Sequence, residues 1–183
     1  MTAGKIKIYD IVLIALMTAV TVVCSLICIP FGAVPVTLQT FAVCVCSGLL
    51  GWKKGTLCVL LYLLLGVVGL PVFSGFQGGA GVLLGATGGF ALGFVPMSLV
   101  AGVISEKSER KTAALFAAYF SGTAVCYVVG ALWYAFVYSE GSIGVADALT
   151  VCIAPFIIPD AVKIVLAVFV TRRVYEQKKR YMK

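Results

Sequence analysis

Asp160 and Lys163 lie three positions apart in an otherwise apolar stretch. On a helix that spacing puts both side chains on one face. A carboxylate accepts hydrogen bonds and an ammonium donates them, so the two can hold a polar ligand between them. Placing an ionisable group at membrane depth costs at least ~2.5–3.5 kcal/mol, and such residues are functional candidates by default. A pair that only neutralised itself would be simpler to delete. Pro159, just before the pair, marks a break near a helix N-terminus, where free backbone N–H groups point at the same space.

Other segments can complete a pocket around that pair. Thr37 brings a hydroxyl, and Gln39 brings an amide that both donates and accepts. Ser74-Gly-Phe-Gln-Gly-Gly-Ala-Gly81 is a flexible loop whose backbone can approach a ligand closely at Gly79, with Gln77 as its only long polar side chain. Thr87 and Gly89 open the next apolar run, and Tyr127, Trp133 and Tyr134 supply aromatic surface. For Trp133 and Tyr134 an interfacial belt is the plainer role, while the more deeply placed Tyr127 is a site candidate. The glycine run is no phosphate loop, because it lacks the closing Gly-Lys-Ser/Thr. There are no histidines, which removes the usual general base. The seven cysteines, Cys24, Cys28, Cys44, Cys46, Cys58, Cys126 and Cys152, form no CxxC pair and read as small buried hydrophobes. No metal site, no cofactor and no enzymatic activity are expected.

The elements that must position these residues are membrane helices. Apolar residues make up 62% of the 183, before 20 glycines are counted, and 11% are charged, against ~25% in a soluble domain. That excludes a soluble globular domain and a disordered chain. From Ile11 to Ser105 the only charged side chains are Lys53 and Lys54. Taking ~20 residues per span, the apolar runs predict six transmembrane helices at 11–29, 38–51, 56–73, 89–104, 112–137 and 159–174, in one all-α integral membrane domain covering 1–183. No room is left for a nucleotide-binding domain on this polypeptide.

Charge sets the expected orientation. Thirteen of the 14 lysines and arginines fall on alternate connections or the termini: Lys5 and Lys7; Lys53 and Lys54; Lys107, Arg110 and Lys111; Arg172, Arg173, Lys178, Lys179, Arg180 and Lys183. The intervening connections, Pro30–Thr37, Ser74–Gly88 and Tyr138–Ile158, carry none. By the positive-inside rule both termini face the cytoplasm and those three loops face outward. The fourteenth, Lys163, lies inside the sixth span. In the first span, Ala15 and Ala19 sit one turn apart, a small-residue spacing that lets helices approach closely in a membrane, either within the bundle or against a partner.

Four segments carry a family likeness: Val34-Pro-Val-Thr-Leu-Gln-Thr-Phe41, Tyr62-Leu-Leu-Leu-Gly-Val-Val-Gly-Leu-Pro-Val-Phe73, Gly85-Ala-Thr-Gly-Gly-Phe90 and Pro155-Phe-Ile-Ile-Pro-Asp-Ala-Val-Lys163. Together they resemble the BioY family, the biotin-binding S components of energy-coupling factor (ECF) vitamin transporters. The resemblance runs over nearly the whole chain. It implies a bacterial multi-pass membrane protein with a high-affinity biotin site facing outward. It implies partnership with a transmembrane coupling (T) subunit and two cytoplasmic ATPases, which bind the ATP. The family's acidic and basic pair maps onto Asp160 and Lys163, its glutamine onto Gln39, and its small-residue docking motif onto Ala15 and Ala19. One departure is Pro159, where a glycine often precedes the acidic residue. The alternative is a stand-alone secondary vitamin transporter using Asp160 as a proton-coupling site. Such proteins often carry inverted repeats, and none is evident in this sequence.

Overall fold

The computed structural model describes residues 8–30, 34–141 and 144–181. Lys5, Lys7 and Lys183, and residues 31–33 of the first outer connection, lie outside them. Helix α1 spans Ile8–Leu26, followed by a two-residue antiparallel ribbon of β1 (Cys28–Ile29) and β2 (Val36–Thr37). Then come α2 (Gln39–Val67), a 3₁₀ turn at Ser74–Phe76, the single turn α3 (Gly81–Leu84), α4 (Gly88–Lys107) and α5 (Thr112–Trp133). A π-helical turn, Tyr134–Tyr138, extends α5. Next are α6 (Val145–Ile153), a 3₁₀ turn at Ala154–Phe156, and α7 (Ile157–Tyr181).

Among the described residues, five helical stretches are long and apolar enough to cross a membrane. The second of them, α2, is folded in two. Gly51 adopts φ 77° and ψ −179°, a conformation that favours glycine. Around it, Gln39 meets Tyr62, and the Cys46 thiol lies 3.8 Å from the carbonyl of Gly55. Both contacts are symmetric about the bend, so residues 39–50 and 52–67 are antiparallel arms. A Cβ at Gly55 would come within 2.7 Å of the Ser47 Cα, so the arms touch backbone to backbone. The chain therefore passes through the bundle six times. The segment read as a basic loop at Trp52–Gly55 is helical, because the turn needs only Gly51. The first arm, at ~1.5 Å per residue, is about 18 Å long, less than the ~30 Å hydrocarbon core. The spans also shift at their ends: α1 stops at Leu26, where the ribbon begins, and the second arm stops at Val67, where the turn to Pro71 begins.

Packing follows the membrane as solvent. On α1 the buried face carries Thr18, Thr21 and Ser25, while Leu16 and Val23 are exposed. Each buried hydroxyl returns to a carbonyl of its own helix: Thr18 to Ile14 (2.9 Å), Thr21 to Met17 (2.9 Å) and Ser25 to Val22 (2.9 Å). Such bonds satisfy polar groups that lipid cannot. Ser25 also donates to the carbonyl of Val72. The core runs through Val43, Val59, Tyr62, Met97, Leu115 and Tyr119, and Leu64, Phe120 and Phe169 point outward.

The two ends of the bundle differ. At one end Lys54 pairs with Asp10 (2.6 Å), Arg110 donates to the carbonyls of Gly48 (2.7 Å) and Leu49 (3.3 Å), and Arg172 donates to the carbonyl of Arg110 (3.0 Å). Lys178 lies 5.8 Å from the Tyr9 ring, so α1 starts and α7 ends on that side. The opposite end gathers the β ribbon, α3, α6 and the glycine-rich connection.

Candidate ligand-binding site

At the end away from the basic residues, a cavity opens between α2, α4, α5 and α7. Its free volume is small, about 50 Å³, because side chains from all four helices close on it. Each wall has a local cause. The ribbon pairs Cys28 with Thr37, which delivers Thr37 and then Gln39 to the start of α2. The 3₁₀ turn at Ala154–Phe156 swings Phe156 inward and starts α7, with Pro159 in its first turn. There a missing N–H leaves no intrahelical bond unmade. Asp160 also falls in that first turn, where the helix dipole favours negative charge.

Asp160 is the centre of the polar floor. Lys163 Nζ donates to its Oδ1 at 2.6 Å and Thr40 Oγ1 to the same oxygen at 3.0 Å, while Tyr127 OH donates to Oδ2 at 2.5 Å. Three elements, α2, α5 and α7, thus converge on one carboxylate. The Lys163 and Asp160 side chains are 8% and 4% exposed. Among the described residues Asp160 is the only acceptor recorded for the Lys163 ammonium, which carries three N–H groups. Two donors and the second lone pair of Oδ2 therefore remain for a ligand. Beside them a relay fixes the amide of Gln39: Thr37 Oγ1 donates to Gln39 Oε1 (2.9 Å), and Gln39 Nε2 donates to Tyr62 OH (2.5 Å). Apolar walls come from Phe73, Phe90, Phe94 and Phe156. Phe90 and Phe156 stack with centroids 6.3 Å apart, and Phe73 meets Tyr62 edge-on at 5.6 Å.

The structure sorts the sequence candidates by position. Asp160, Lys163, Gln39, Thr37, Thr87 and Tyr127 all line the cavity. Gln77 is exposed and lines an adjoining opening that shares Pro35, Ser74 and Thr87 with the cavity. Gly79 ties its loop to α2, its N–H donating to the carbonyl of Gly66 at 2.7 Å. Gly89 is buried and faces Trp133, at the α4–α5 contact. Trp133 donates to the carbonyl of Gly85 at 3.2 Å, and Tyr134 is buried with Val34, Cys152 and Phe156. Ala15 and Ala19 lie on the exposed face of α1, turned away from the bundle.

Comparison with known proteins decides what this arrangement belongs to. The family model described as the BioY family matches residues 1–180.

The chain belongs to the BioY family.

Relatives agree along nearly their full length. A biotin transporter BioY from Thermotoga maritima is 40% identical over 86% of this chain and 90% of its own. A probable biotin transporter BioY from Pyrococcus horikoshii is 36% identical over 91% and 96%. Among solved structures, the crystal structure of an S component for biotin from an ECF-type ABC transporter superposes with a TM-score of 0.85. It is 29% identical and covers 96% of this chain and 95% of that one. This BioY-family chain is thus a multi-pass membrane protein with the S-component fold.

Sequence reasoning missed part of the site of this BioY member. Thr40 holds Asp160 from 120 positions away in the chain, and Tyr62 holds Gln39 from the other arm of α2. Both lie inside segments that carry the family likeness or directly beside Gln39, but neither spacing reveals its partner. The aromatic walls were equally hidden, since phenylalanine in a membrane helix is unremarkable.

Proposed function

We propose that this chain captures biotin from outside the cell in the Asp160 cavity. It then delivers the vitamin for ATP-driven uptake as the substrate-binding subunit of an ECF-type transporter. One observation carries the ligand assignment: a buried carboxylate oriented by three donors, one of them the buried Lys163 ammonium, lies under aromatic walls. Biotin's ureido ring has two N–H donors and one carbonyl. The free lone pair of Asp160 Oδ2 suits one N–H, and Lys163 suits the carbonyl. Phe90 and Phe156 suit the fused rings. Family membership supports this choice over another small ligand with the same polar pattern. A ligand lacking a partner would leave buried charges unsatisfied, which gives selectivity.

Thr37, Gln39 and Thr87 complete the polar rim. Gln77, Gly79 and Gly89 act at one remove: Gln77 at the adjoining opening, Gly79 by holding the glycine-rich loop against α2, and Gly89 by seating α4 on α5. No cofactor is needed in this chain, because ATP is bound and hydrolysed by partner subunits. The coupling subunit docks against the exposed α1 face at Ala15 and Ala19, whose small side chains permit close helix approach. Both termini face the cytoplasm of a bacterium, supported by the clustering of Lys54, Arg110, Arg172 and Lys178 at one end.

Two measurements test this reading. Calorimetric titration of biotin into the purified chain is expected to give tight one-to-one binding; a folded protein without binding overturns the ligand. Biotin uptake by cells co-expressing the coupling subunits is expected to stop on ATP depletion and to survive an uncoupler. The reverse pattern would instead support a proton-coupled carrier using Asp160.

A further inference from the structure

A second recess lies at the basic end of the bundle, between α5 and α7. This groove of about 590 Å³ has an apolar stretch at Phe116, Val165 and Phe169 and a cationic stretch at Arg172, Arg173 and Arg180. Along α7, Val165, Phe169, Arg172, Glu176 and Arg180 recur at helical spacing and form one stripe. At ~1.5 Å per residue the stripe is about 22 Å long, and it changes from apolar to cationic at Arg172.

The charges are not balanced within the groove. Glu176 pairs with Arg172 at 2.6 Å. Among the described residues Arg173 and Arg180 have no ion pair. Helix α5 starts at the cationic end, at Thr112, with no side-chain cap, so the N–H groups of its first turn add to the positive potential. Toward the apolar end the groove is continuous with lipid-facing surface, where Val162, Leu166 and Phe120 are exposed. Its occupant must therefore carry an anion and an alkyl chain in line, and must arrive from the bilayer.

We propose that the α5–α7 groove binds an anionic glycerophospholipid. Its phosphodiester sits against Arg173 and Arg180, and an acyl chain lies along Phe116, Val165 and Phe169. Basic recesses between membrane helices suit such headgroups. Inorganic phosphate would satisfy the arginines but leave the apolar half of the groove unused.

Native mass spectrometry of the detergent-purified full chain tests this, with phosphatidylglycerol, phosphatidylcholine of the same acyl chains, and inorganic phosphate as probes. The wild type is expected to retain phosphatidylglycerol over phosphatidylcholine. Arg173→Gln with Arg180→Gln is expected to lower that retention by about 25-fold, at roughly fivefold per arginine. Phe169→Ala is expected to weaken phosphatidylglycerol without changing phosphate. Lys107→Gln with Lys111→Gln, at the same end but outside the groove, is expected to leave retention unchanged. Thermal melting of each variant reports folding independently of biotin. Equal retention of the two lipids, equal loss in the lysine variant, wild-type retention in the arginine variant, or displacement of the lipid by equimolar phosphate would each overturn the assignment.

Discussion

Three ion pairs in the described part of the molecule have the same nitrogen–oxygen separation, 2.6 Å. Two lie at the basic end, Lys54–Asp10 and Arg172–Glu176, with side chains 43% and 18% exposed, and 38% and 51% exposed. The third, Lys163–Asp160, is 8% and 4% exposed. Distance alone would make them equivalent, but burial does not. Water already solvates the exposed charges, so such pairs contribute ~0–1 kcal/mol. At Asp160 water is largely excluded, and desolvation is repaid only where further donors satisfy the carboxylate. Thr40 and Tyr127 are those donors. The basic end leaves its paired charges partly in contact with solvent, and the cavity end buries its pair among further donors.

Breaking the buried pair tests that contrast hardest. Asp160→Asn or Lys163→Met alone should destabilise the fold by ~3–5 kcal/mol, because each leaves an unpaired buried group; unfolding in denaturant measures it. Next come the orienting donors. Tyr127→Phe and Thr40→Val each remove one hydrogen bond to a charged group, worth ~1.5–3 kcal/mol, and biotin titration should show affinity about 10- to 100-fold weaker. Gly51→Ala sharpens the comparison from the other end. It forces a side chain into a positive-φ position where a Cβ would lie 2.5 Å from Glu106 Oε2. A cost of ~1–3 kcal/mol in stability, with unchanged biotin affinity, is expected from melting and titration together. The smallest effect belongs to Lys54→Met, at most ~1 kcal/mol and shrinking further with added salt.

Much of this was legible in the sequence, for reasons that are themselves physical. A lysine in an apolar run is expensive enough to stand out, so Lys163 and Asp160 could be picked and paired from spacing alone. The six passes followed from apolar length and from the placement of Lys53, Lys54 and Arg110. The sequence puts the turn at the basic segment Trp52–Gly55, whereas the chain bends one residue earlier, at Gly51, because periodicity does not show that a single glycine can reverse a helix. Thr40 and Tyr62 stayed invisible as partners, since contacts across 120 and 23 positions leave no local trace. Gln77 and Gly79 were drawn to the pocket by their glycine-rich surroundings. In the structure that loop is pinned by backbone bonds, Phe73 N–H to the carbonyl of Gln77 at 3.0 Å and Gly79 N–H to that of Gly66 at 2.7 Å, which leave the Gln77 side chain facing the adjoining opening.

The most direct test is a biotin titration of the double variant Asp160→Asn/Lys163→Met beside the two single variants, each with its unfolding free energy. Removing both charges together leaves no uncompensated ion, so most of the stability lost in the singles should return. The account predicts that the double variant folds nearly as well as wild type and binds no biotin. A double variant that is equally stable and still binds biotin with wild-type affinity would contradict it, and would reduce Asp160 and Lys163 to a structural salt bridge.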